Sequence, residues 1–448
     1  MLTIDQARDR AADLVARALK AGADAADAIY VADASTGVQV RLGTLEDVQR
    51  SEGEEIGLRV FVGQQSASAS SSDLSVDAME KLAERAVAMA GQAPEDAYAG
   101  LAPQDRLMTG VPANFDIDDG GEVSPQDLRD RATRAEDAAR AVAGVTNSEG
   151  GSASAGRALV GLATSGGFAG SYSGSSHGVS ASVLAGEGSD MQRDYSWHST
   201  RHLADLDDAA TIGREAGERA VARLNPVRLK SGPMPVLFDP RVAGSIIGHL
   251  IGAITGSAIA RKTSFLLDAL ETDVFGPGIT IVDDPHRLRG LRSKPFDGEG
   301  LPTQRRAIIE KGRLTTWLLD SASARQLGLQ PTGHASRGVS GPPGAGATNL
   351  HMEAGSVSPA DLMADIKEGF YVTDLIGHGV NGLTGDYSRG ASGFVIRNGQ
   401  IEGAVAEVTI AGNLKEMFRT LTPANDLDFR HGTNAPTLRL KGMTLAGD

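Results

Sequence analysis

The 448-residue sequence contains no cysteine and few aromatic residues, and it carries no excess of positive charge. Without cysteine the chain cannot form disulfides, iron–sulfur clusters or cysteine-ligated zinc sites, and it has no thiol nucleophile. Aromatic residues make up 4%, too few for base-stacking platforms, and the net charge of -14 opposes binding to a phosphate backbone. We therefore expect no nucleic-acid partner.

Long apolar runs are also lacking. No segment approaches the roughly 18 consecutive apolar residues of a membrane span, and the first residues do not have the basic and apolar regions of a signal peptide. These features predict a cytoplasmic protein with no membrane association. Glycine, by contrast, is abundant at 56 residues, which indicates many turns and close backbone approaches.

A change in charge and in turn residues divides the chain near residue 230. Up to Lys230 there are 35 acidic and 22 basic residues, whereas the remainder has 22 and 21. Asn225-Pro226 and Ser231-Gly232-Pro233 mark a connection at the same point. We predict an α+β fold with an N-terminal α+β domain over residues 1–230 and a β-rich C-terminal domain over residues 231–448.

Apolar spacing and capping residues predict the elements of the N-terminal half. Helices are expected after Thr3, over residues 76–90, from Ser124-Pro125 and over residues 206–223. Short runs at 28–34, 37–42 and 56–62 predict a strand meander. Residues 144–200 are rich in Gly, Ser and Ala and predict antiparallel strands, whose small side chains would let a peptide backbone lie close.

In the C-terminal half, a strand at 236–238 precedes a helix predicted from Pro240 to Arg261. Lys311-Gly312 and Asn398-Gly399 are typical of hairpin turns, so we expect a partly closed barrel. A second helix start is predicted at Ser358-Pro359, where a Ser cap precedes proline.

Several catalytic and cofactor motifs can be excluded. The sequence has no P-loop and no H-E-x-x-H. The G-x-S-x-G string around Ser176 lacks the helix that a nucleophile elbow requires, and the G-x-G-x-x-G string at 377–382 lacks the helix that would hold a pyrophosphate. His198 and His202 are expected at an exposed strand end, and the DDPH sequence at 283–286 is expected to form a turn; neither predicts a metal site.

His249 is a single histidine on the flank of the predicted helix. Ala243, Ile246, Ile247, Leu250 and Ile254 form the apolar stripe of that helix, and His249 lies well off its centre. From the residues alone, a structural or surface role is the better interpretation.

The C-terminal half resembles the TldD/PmbA (TldE) family, and in particular its PmbA branch. The resemblance is carried by four motifs: TIVDDP at 280–285, PFDGEG at 295–300, TGDYSRG at 384–390 and TIAGNL at 409–414. The order of strands and helices before residue 230 also fits. The resemblance covers essentially the whole chain.

In this family the TldD branch is a zinc peptidase with H-E-x-x-x-H on this helix and a Cys ligand farther along the chain. Here Gly248 stands at the first zinc His, His249 at the general-base Glu and Ala253 at the second zinc His. Zinc needs lone-pair donors, which Gly and Ala lack. The resemblance thus implies a degenerate motif, no catalytic residue and no metal in this chain, with zinc expected in the partner subunit.

The resemblance further implies a complex with a TldD-like zinc peptidase that degrades small or unfolded peptides. Asp386, Ser388 and Arg389 are candidate peptide-binding residues, with turn stabilisation as the alternative for the charged ones, as for Asp297 and Glu299. Residues 144–200, 336–346 and 377–390 are candidate chamber linings. Two other hypotheses about function stay open: a stand-alone metallopeptidase with an unrecognised site, and a homodimeric peptide-binding module. For the chain without its partner, a homodimer is a further expectation.

Overall fold

The computed structural model describes residues 1–447 and confirms the α+β class. The elements of the first half are α1 (Ile4–Lys20), β1 (Ala25–Arg41), β2 (Thr44–Val62), β3 (Gln65–Ser71), α2 (Val76–Ala90), α3 (Pro125–Arg140), β4 (Val145–Thr164), β5 (Ala169–Ala185), β6 (Gln192–Thr200) and α4 (Ala209–Ala222). Between α2 and α3 the chain is a long connection with one 3-10 turn, Gln104–Arg106.

The first half is one antiparallel sheet with helices on one face. Its strand order is β3-β2-β1-β4-β5-β6. Alternate residues of β1, such as Ala28 and Tyr30, are buried against α1 and α2, because successive side chains of a strand point to opposite faces. The helices α3 and α4 cover β5 in the same way. The opposite face of the sheet is therefore free to meet the second half of the chain.

The predicted caps are confirmed. The side chains of Thr3 and Ser124 each accept a hydrogen bond from the backbone N–H of the third helical residue. The side chain of that third residue accepts in return from the backbone N–H of the cap, so both helix starts form capping boxes. Ser358 caps the short helix that follows it in the same manner.

The predicted strand boundaries in the meander were wrong. Residues 28–34 and 37–41 belong to the single strand β1, because Gly37 continues the pairing with Gln49 without interruption, and Leu42 lies in the turn that follows. The strand β2 begins at Thr44, twelve residues before the predicted start, and its first half is exposed. This half of β2 has no buried face, so its pairing with β1 leaves no apolar periodicity in its own sequence.

The elements of the second half are β7 (Gly232–Phe238), α5 (Pro240–Ala253), α6 (Gly256–Ala260), β8 (Ile281–Asp283), β9 (Arg306–Glu310), β10 (Arg313–Leu314), α7 (Ser321–Leu327), β11 (Ala335–Ser336), β12 (Gly344–Ala345), β13 (Leu350–Met352), α8 (Pro359–Met363), β14 (Glu368–Ile376), β15 (Asp386–Arg397), β16 (Gln400–Asn413), α9 (Leu414–Thr420), β17 (Thr422–Pro423), β18 (Thr433–Asn434) and β19 (Leu438–Ala446).

Five of these strands close into a barrel. The order β16-β15-β14-β7-β19 is completed by pairing between β16 and β19. A second sheet has the order β10-β9-β8-β13-β18. Both predicted hairpin turns are present, and Lys311, Gly312, Asn398 and Gly399 all have the positive φ that such turns require. The predicted barrel is confirmed, and its closure is complete.

The helix predicted over Pro240–Arg261 is two helices. Between α5 and α6, the Leu318 N–H donates a hydrogen bond to the Ile254 carbonyl, and the Leu318 carbonyl accepts a hydrogen bond from the Gly256 N–H. This bridge uses backbone groups that a continuous helix would need for its own i to i−4 bonds. None of the helices within residues 1–447 is long and apolar enough to traverse a bilayer.

Candidate functional site

The site lies on α5, which directly follows the barrel strand β7 in the chain. Asp239 caps the helix by accepting from the Arg241 N–H, and Pro240 occupies the first turn, as predicted. The predicted stripe of Ala243, Ile246, Ile247, Leu250 and Ile254 is fully buried in the core of the second half. Burial of this stripe fixes which side of α5 remains open.

The three positions of the degenerate motif have different environments. Gly248 is exposed, and nothing lies within 4 Å of where its side chain would begin. Ala253 is buried at the end of α5, where it packs in the core. His249 lies between these extremes and is half-buried. The helix therefore presents one imidazole beside an open glycine.

His249 packs against a buried tyrosine. Its ring and that of Tyr387 are 5.8 Å apart at 75°, an edge-to-face arrangement. Its Nε2 is buried and finds no hydrogen-bond partner within residues 1–447. Burial, together with the positive charge of Arg389, lowers the pKa of His249. The imidazole is thus neutral near pH 7.

Tyr387 and Arg389 reach the His249 side from β15. The two residues are two apart on the strand, so their side chains share a face. The Tyr387 hydroxyl and the Arg389 Nε are both buried without a hydrogen-bond partner in the described chain, while Arg389 Nη2 donates to the Leu375 carbonyl at 3.3 Å. Burial also raises the pKa of Tyr387 to about 12. An imidazole, a phenol and a guanidinium thus lie together with unused hydrogen-bonding capacity.

Asp386 and Ser388 occupy the alternate, exposed positions of the same strand. The Asp386 carboxylate accepts hydrogen bonds from the Thr384 hydroxyl at 2.6 Å and from Asn413 Nδ2 at 3.0 Å, which lower its pKa. These contacts stabilise the turn before β15. The structure therefore brings Arg389, and neither Asp386 nor Ser388, to the His249 side.

The 377–385 loop is closed tightly on β15. The Ser388 N–H donates to the Gly379 carbonyl at 2.6 Å, and a Cβ at Gly379 would lie 1.6 Å from the Ser388 carbonyl oxygen. No helix follows this loop before β15 begins at Asp386. The glycine-rich string is therefore a loop that packs against β15.

The residues of α5 do not fit a zinc ion. Gly248 and Ala253 offer no side-chain donor, and the remaining imidazole lies near the Arg389 guanidinium, whose charge opposes a cation. Within residues 1–447, no three His, Asp or Glu side chains are grouped as a metal site would require. What this arrangement can do chemically is donate hydrogen bonds to a carbonyl or carboxylate.

The other histidine and serine motifs form no shared centre. His198 Nδ1 faces Asp207 at 3.3 Å and His202 Nε2 faces Asp116 at 3.2 Å, so the two rings have separate acidic partners. Ser176 lies within β5, with strand on both sides and no helix. In the DDPH turn, Asp283 is buried and accepts from the Thr348 N–H at 2.6 Å, which is a structural role.

The uncovered face of the Gly/Ser-rich sheet carries a shallow groove. Its cavity of about 360 Å³ is lined by Ser152, Ser180 and Ser182 and by the exposed rings of Tyr195 and Trp197. Small side chains line two strands and aromatic rings line the third. Such a surface admits an extended backbone and offers apolar contacts to its side chains.

Sequence reasoning missed a buried ion network where the two halves meet. Asp27 and Arg59 are direct cross-strand neighbours on β1 and β2, with Arg59 Nε donating to Asp27 at 3.1 Å. Arg337, from the 336–346 segment, donates to the same carboxylate. Glu299 lies 3.7 Å from Arg59. The sequence does contain a signal for this network, because Asp27 and Arg59 each interrupt an otherwise apolar strand segment.

Asp297 and Glu299 of the PFDGEG motif are both buried and have structural partners. Asp297 accepts backbone N–H groups of Glu299 and Leu301, and Glu299 accepts from the Ser321 N–H and hydroxyl. Burial raises the pKa of Asp297, and it raises the pKa of Glu299 to about 7. These contacts match the turn-stabilising alternative for the two residues.

Three family models match the chain in succession. The PmbA/TldA metallopeptidase domain 1 matches residues 26–90, the central domain residues 118–224 and the C-terminal domain residues 231–447. Together they cover most of the chain.

Individual relatives agree with these models. The chain is 38% identical to Metalloprotease PmbA of Escherichia coli O157:H7, over 97% of this chain and 96% of the relative. It is 36% identical to the Metalloprotease PmbA homolog of Haemophilus influenzae, over 96% and 94%.

Solved structures share the fold. A protein described as a candidate modulator of DNA gyrase from Bacteroides thetaiotaomicron aligns with a TM-score of 0.92 at 27% identity, covering 100% of both chains. TldE from Thermococcus kodakarensis aligns with a TM-score of 0.87 at 21% identity, covering 98% of this chain and 100% of that one. At the latter identity the likeness concerns the fold alone.

Proposed function

Because the chain belongs to the PmbA/TldD metallopeptidase family, in its PmbA (TldE) branch, we propose that it is the non-catalytic subunit of a zinc peptidase complex. In this proposal a TldD-like partner supplies the zinc and cleaves small or unfolded peptides. The peptidase activity belongs to the pair, and this chain contributes peptide-contacting surface.

The environment of α5 is the observation that carries the proposal. A catalytic zinc site needs three protein ligands and an open position for water. On α5, Gly248 and Ala253 supply no donor atom, and the remaining imidazole of His249 lies beside a guanidinium. A neutral imidazole next to a positive charge is suited to hydrogen bonding rather than to holding a dication.

Two surfaces support the peptide-contacting role. Arg389 has a buried Nε without a partner in the described residues, so a peptide carbonyl or carboxylate could satisfy it. The groove over Ser152, Ser180 and Trp197 has room for an extended backbone. In this proposal Arg389 orients one end of the peptide, and the groove binds the extended peptide backbone. Asp386 and Ser388 would then act at the exposed rim of the same strand.

We further place the pair in the cytoplasm, where the absence of cysteine from this chain is compatible with a reducing environment. In the absence of its partner, the chain is expected to form a homodimer, because the surface that meets the partner would otherwise stay exposed.

The test is to purify the tagged chain gently from its source cell and to identify the associated protein. Zinc is then measured in the complex and in the separated chains, together with cleavage of an unfolded peptide substrate. We expect a partner with H-E-x-x-x-H, zinc in that partner and loss of cleavage on its removal. As a matched control, His249→Gln should leave the zinc content of the complex unchanged.

Two outcomes would overturn the proposal. Stoichiometric zinc and cleavage in this chain alone would favour the stand-alone metallopeptidase. Peptide binding by a homodimer with no associated zinc peptidase would favour the binding-module reading.

A further inference from the structure

A cavity of about 620 Å³ lies between the two halves of the chain, against the uncovered face of the first sheet. Its floor is formed by two cross-strand pairs of β1 and β4, Ile29 with Leu162 and Val31 with Val160. Phe296 lines it from the second half. This volume and the apolar lining are typical of a small-ligand site.

The charged groups of the cavity select against anionic ligands. Asp33 of β1 and Glu55 of β2 line it from the sheet, and Asp297 lines it from the second half. Arg337 does not offset these carboxylates, because its side chain is 1% exposed and its guanidinium is paired with Asp27. A ligand of this cavity is therefore neutral, with an apolar body that matches the floor.

Lys294 brings an amine to the same cavity. The residue lines the cavity and is partly exposed. Its Nζ donates one hydrogen bond, to the Ala335 carbonyl at 3.1 Å, and no carboxylate oxygen within residues 1–447 lies within 4.0 Å of it. An ammonium group has three donors, so two of them find no partner in the described chain. The charged form of this amine is thus poorly compensated.

The surroundings of Lys294 favour the neutral amine. Burial lowers the pKa of Lys294 and outweighs the attraction of Asp297 and Asp283, which acts in the opposite direction. A neutral lysine amine is a nucleophile, and lysines desolvated in apolar pockets add to carbonyl groups. An apolar cavity that excludes anions and contains such an amine is suited to a neutral carbonyl compound.

We propose that Lys294 condenses with a neutral aldehyde whose apolar body occupies this cavity. The Lys294 nitrogen attacks the carbonyl carbon, and one amine proton moves to the carbonyl oxygen to give a carbinolamine. The bond between carbon and that oxygen then breaks, and the oxygen leaves as water with both amine protons. The product is an imine between Nζ and the former carbonyl carbon. The site shares no residue with the α5 site.

The test is reductive trapping of the imine in the isolated chain at pH 7. The chain is incubated with cinnamaldehyde and sodium cyanoborohydride, and the labelled lysines are identified by mass spectrometry of its peptides. We expect Lys294 to be labelled at least about tenfold faster than Lys20, whose side chain is 84% exposed, because each unit of lowered pKa raises the neutral fraction about tenfold. Labelling of Lys294 no faster than that of Lys20 would overturn the proposal.

A charged aldehyde and two variants then locate the reaction in the cavity. The para-carboxylate derivative of cinnamaldehyde should label Lys294 several-fold more slowly than cinnamaldehyde does, and Lys20 at an equal rate with both. Val31→Trp should slow the labelling of Lys294 by filling the cavity. Val48→Trp is the matched control, because Val48 lies on the exposed half of β2 and is 48% exposed.

Two results would refute the placement of the site. One is equal labelling of Lys294 by the neutral and the anionic aldehyde, which needs no variant. The other is equal labelling of Lys294 in Val31→Trp and Val48→Trp, after thermal unfolding has verified that both variants are folded.

These results are independent of the proposed function. All labelling uses this chain alone, so an unreactive Lys294 would leave the zinc and partner measurements untouched. Conversely, the absence of a zinc peptidase partner would not alter the labelling.

Discussion

Glu299 is expected to make the protein less stable as the pH rises. Its carboxyl group is 2% exposed, and burial raises its pKa from 4.5 to about 7, against the opposing effect of Arg59. Between these two values the folded chain holds a proton that the unfolded chain releases. The stabilisation from this proton is therefore complete below pH 4.5 and is lost as the pH rises through about 7.

The size of the effect follows from the same shift. Each pKa unit corresponds to about 1.4 kcal/mol, so a shift from 4.5 to about 7 corresponds to about 3 kcal/mol. Glu299→Gln keeps the shape of the protonated side chain and removes its titration. We expect this variant to lie within about 1 kcal/mol of the wild type at pH 5 and to gain about 3 kcal/mol relative to it at pH 8.

The assay is urea unfolding at pH 5 and pH 8. Trp317 is buried in the core of the second half and serves as the fluorescent probe once Trp197 is replaced by Phe. Taking the difference between wild type and variant cancels the other titrating groups. Glu310→Gln, an exposed change on β9, is the matched control. The reasoning would be refuted if Glu299→Gln followed the wild type at both pH values.

Three further outcomes are expected. Asp27→Ala should lower the free energy of unfolding by about 3–5 kcal/mol in urea unfolding, because it leaves two buried guanidinium groups without their shared carboxylate; a change below 1 kcal/mol would contradict this. Gly379→Ala should lower the melting temperature, since its Cβ would lie 1.6 Å from the Ser388 carbonyl oxygen, whereas Gly338→Ala, in open space, should not; equal effects would contradict the close approach. NMR titration should show that the His249 ring protonates below its ordinary pKa of 6.5, and a pKa above that value would contradict its burial beside Arg389.

Local chemistry made the helices and turns predictable. Ser124-Pro125 and Thr3 satisfy the free N–H groups of a helix start, and only residues that tolerate positive φ suit the Asn398-Gly399 turn. The buried stripe of α5 also followed from spacing alone. Each of these features depends on residues that are close together in the sequence.

Features that depend on distant residues could not be predicted in the same way. The break between α5 and α6 is made by Leu318, more than sixty residues away. Arg337 joins Asp27 across 310 positions. The exposed half of β2 is held by backbone pairing to β1. Such pairing leaves no pattern of apolar side chains in β2, because neither face of this half is buried.

The candidate site was predicted in part. His249 and Arg389 were each singled out, but their proximity depends on how β15 packs against α5, which spacing does not encode. The turn role of Asp386 follows from Thr384 and Asn413, the latter from the next strand. Alternation along β15 explains why Arg389 and Asp386 lie on different sides.

The central claim is that this chain takes part in a zinc peptidase without binding the zinc itself. The most direct measurement is the zinc content of the isolated chain and of its natural complex, each after dialysis against buffer containing trace zinc. We predict no stoichiometric zinc in the isolated chain and about one zinc per pair in the complex, held by the partner. Stoichiometric zinc in the isolated chain would contradict the account.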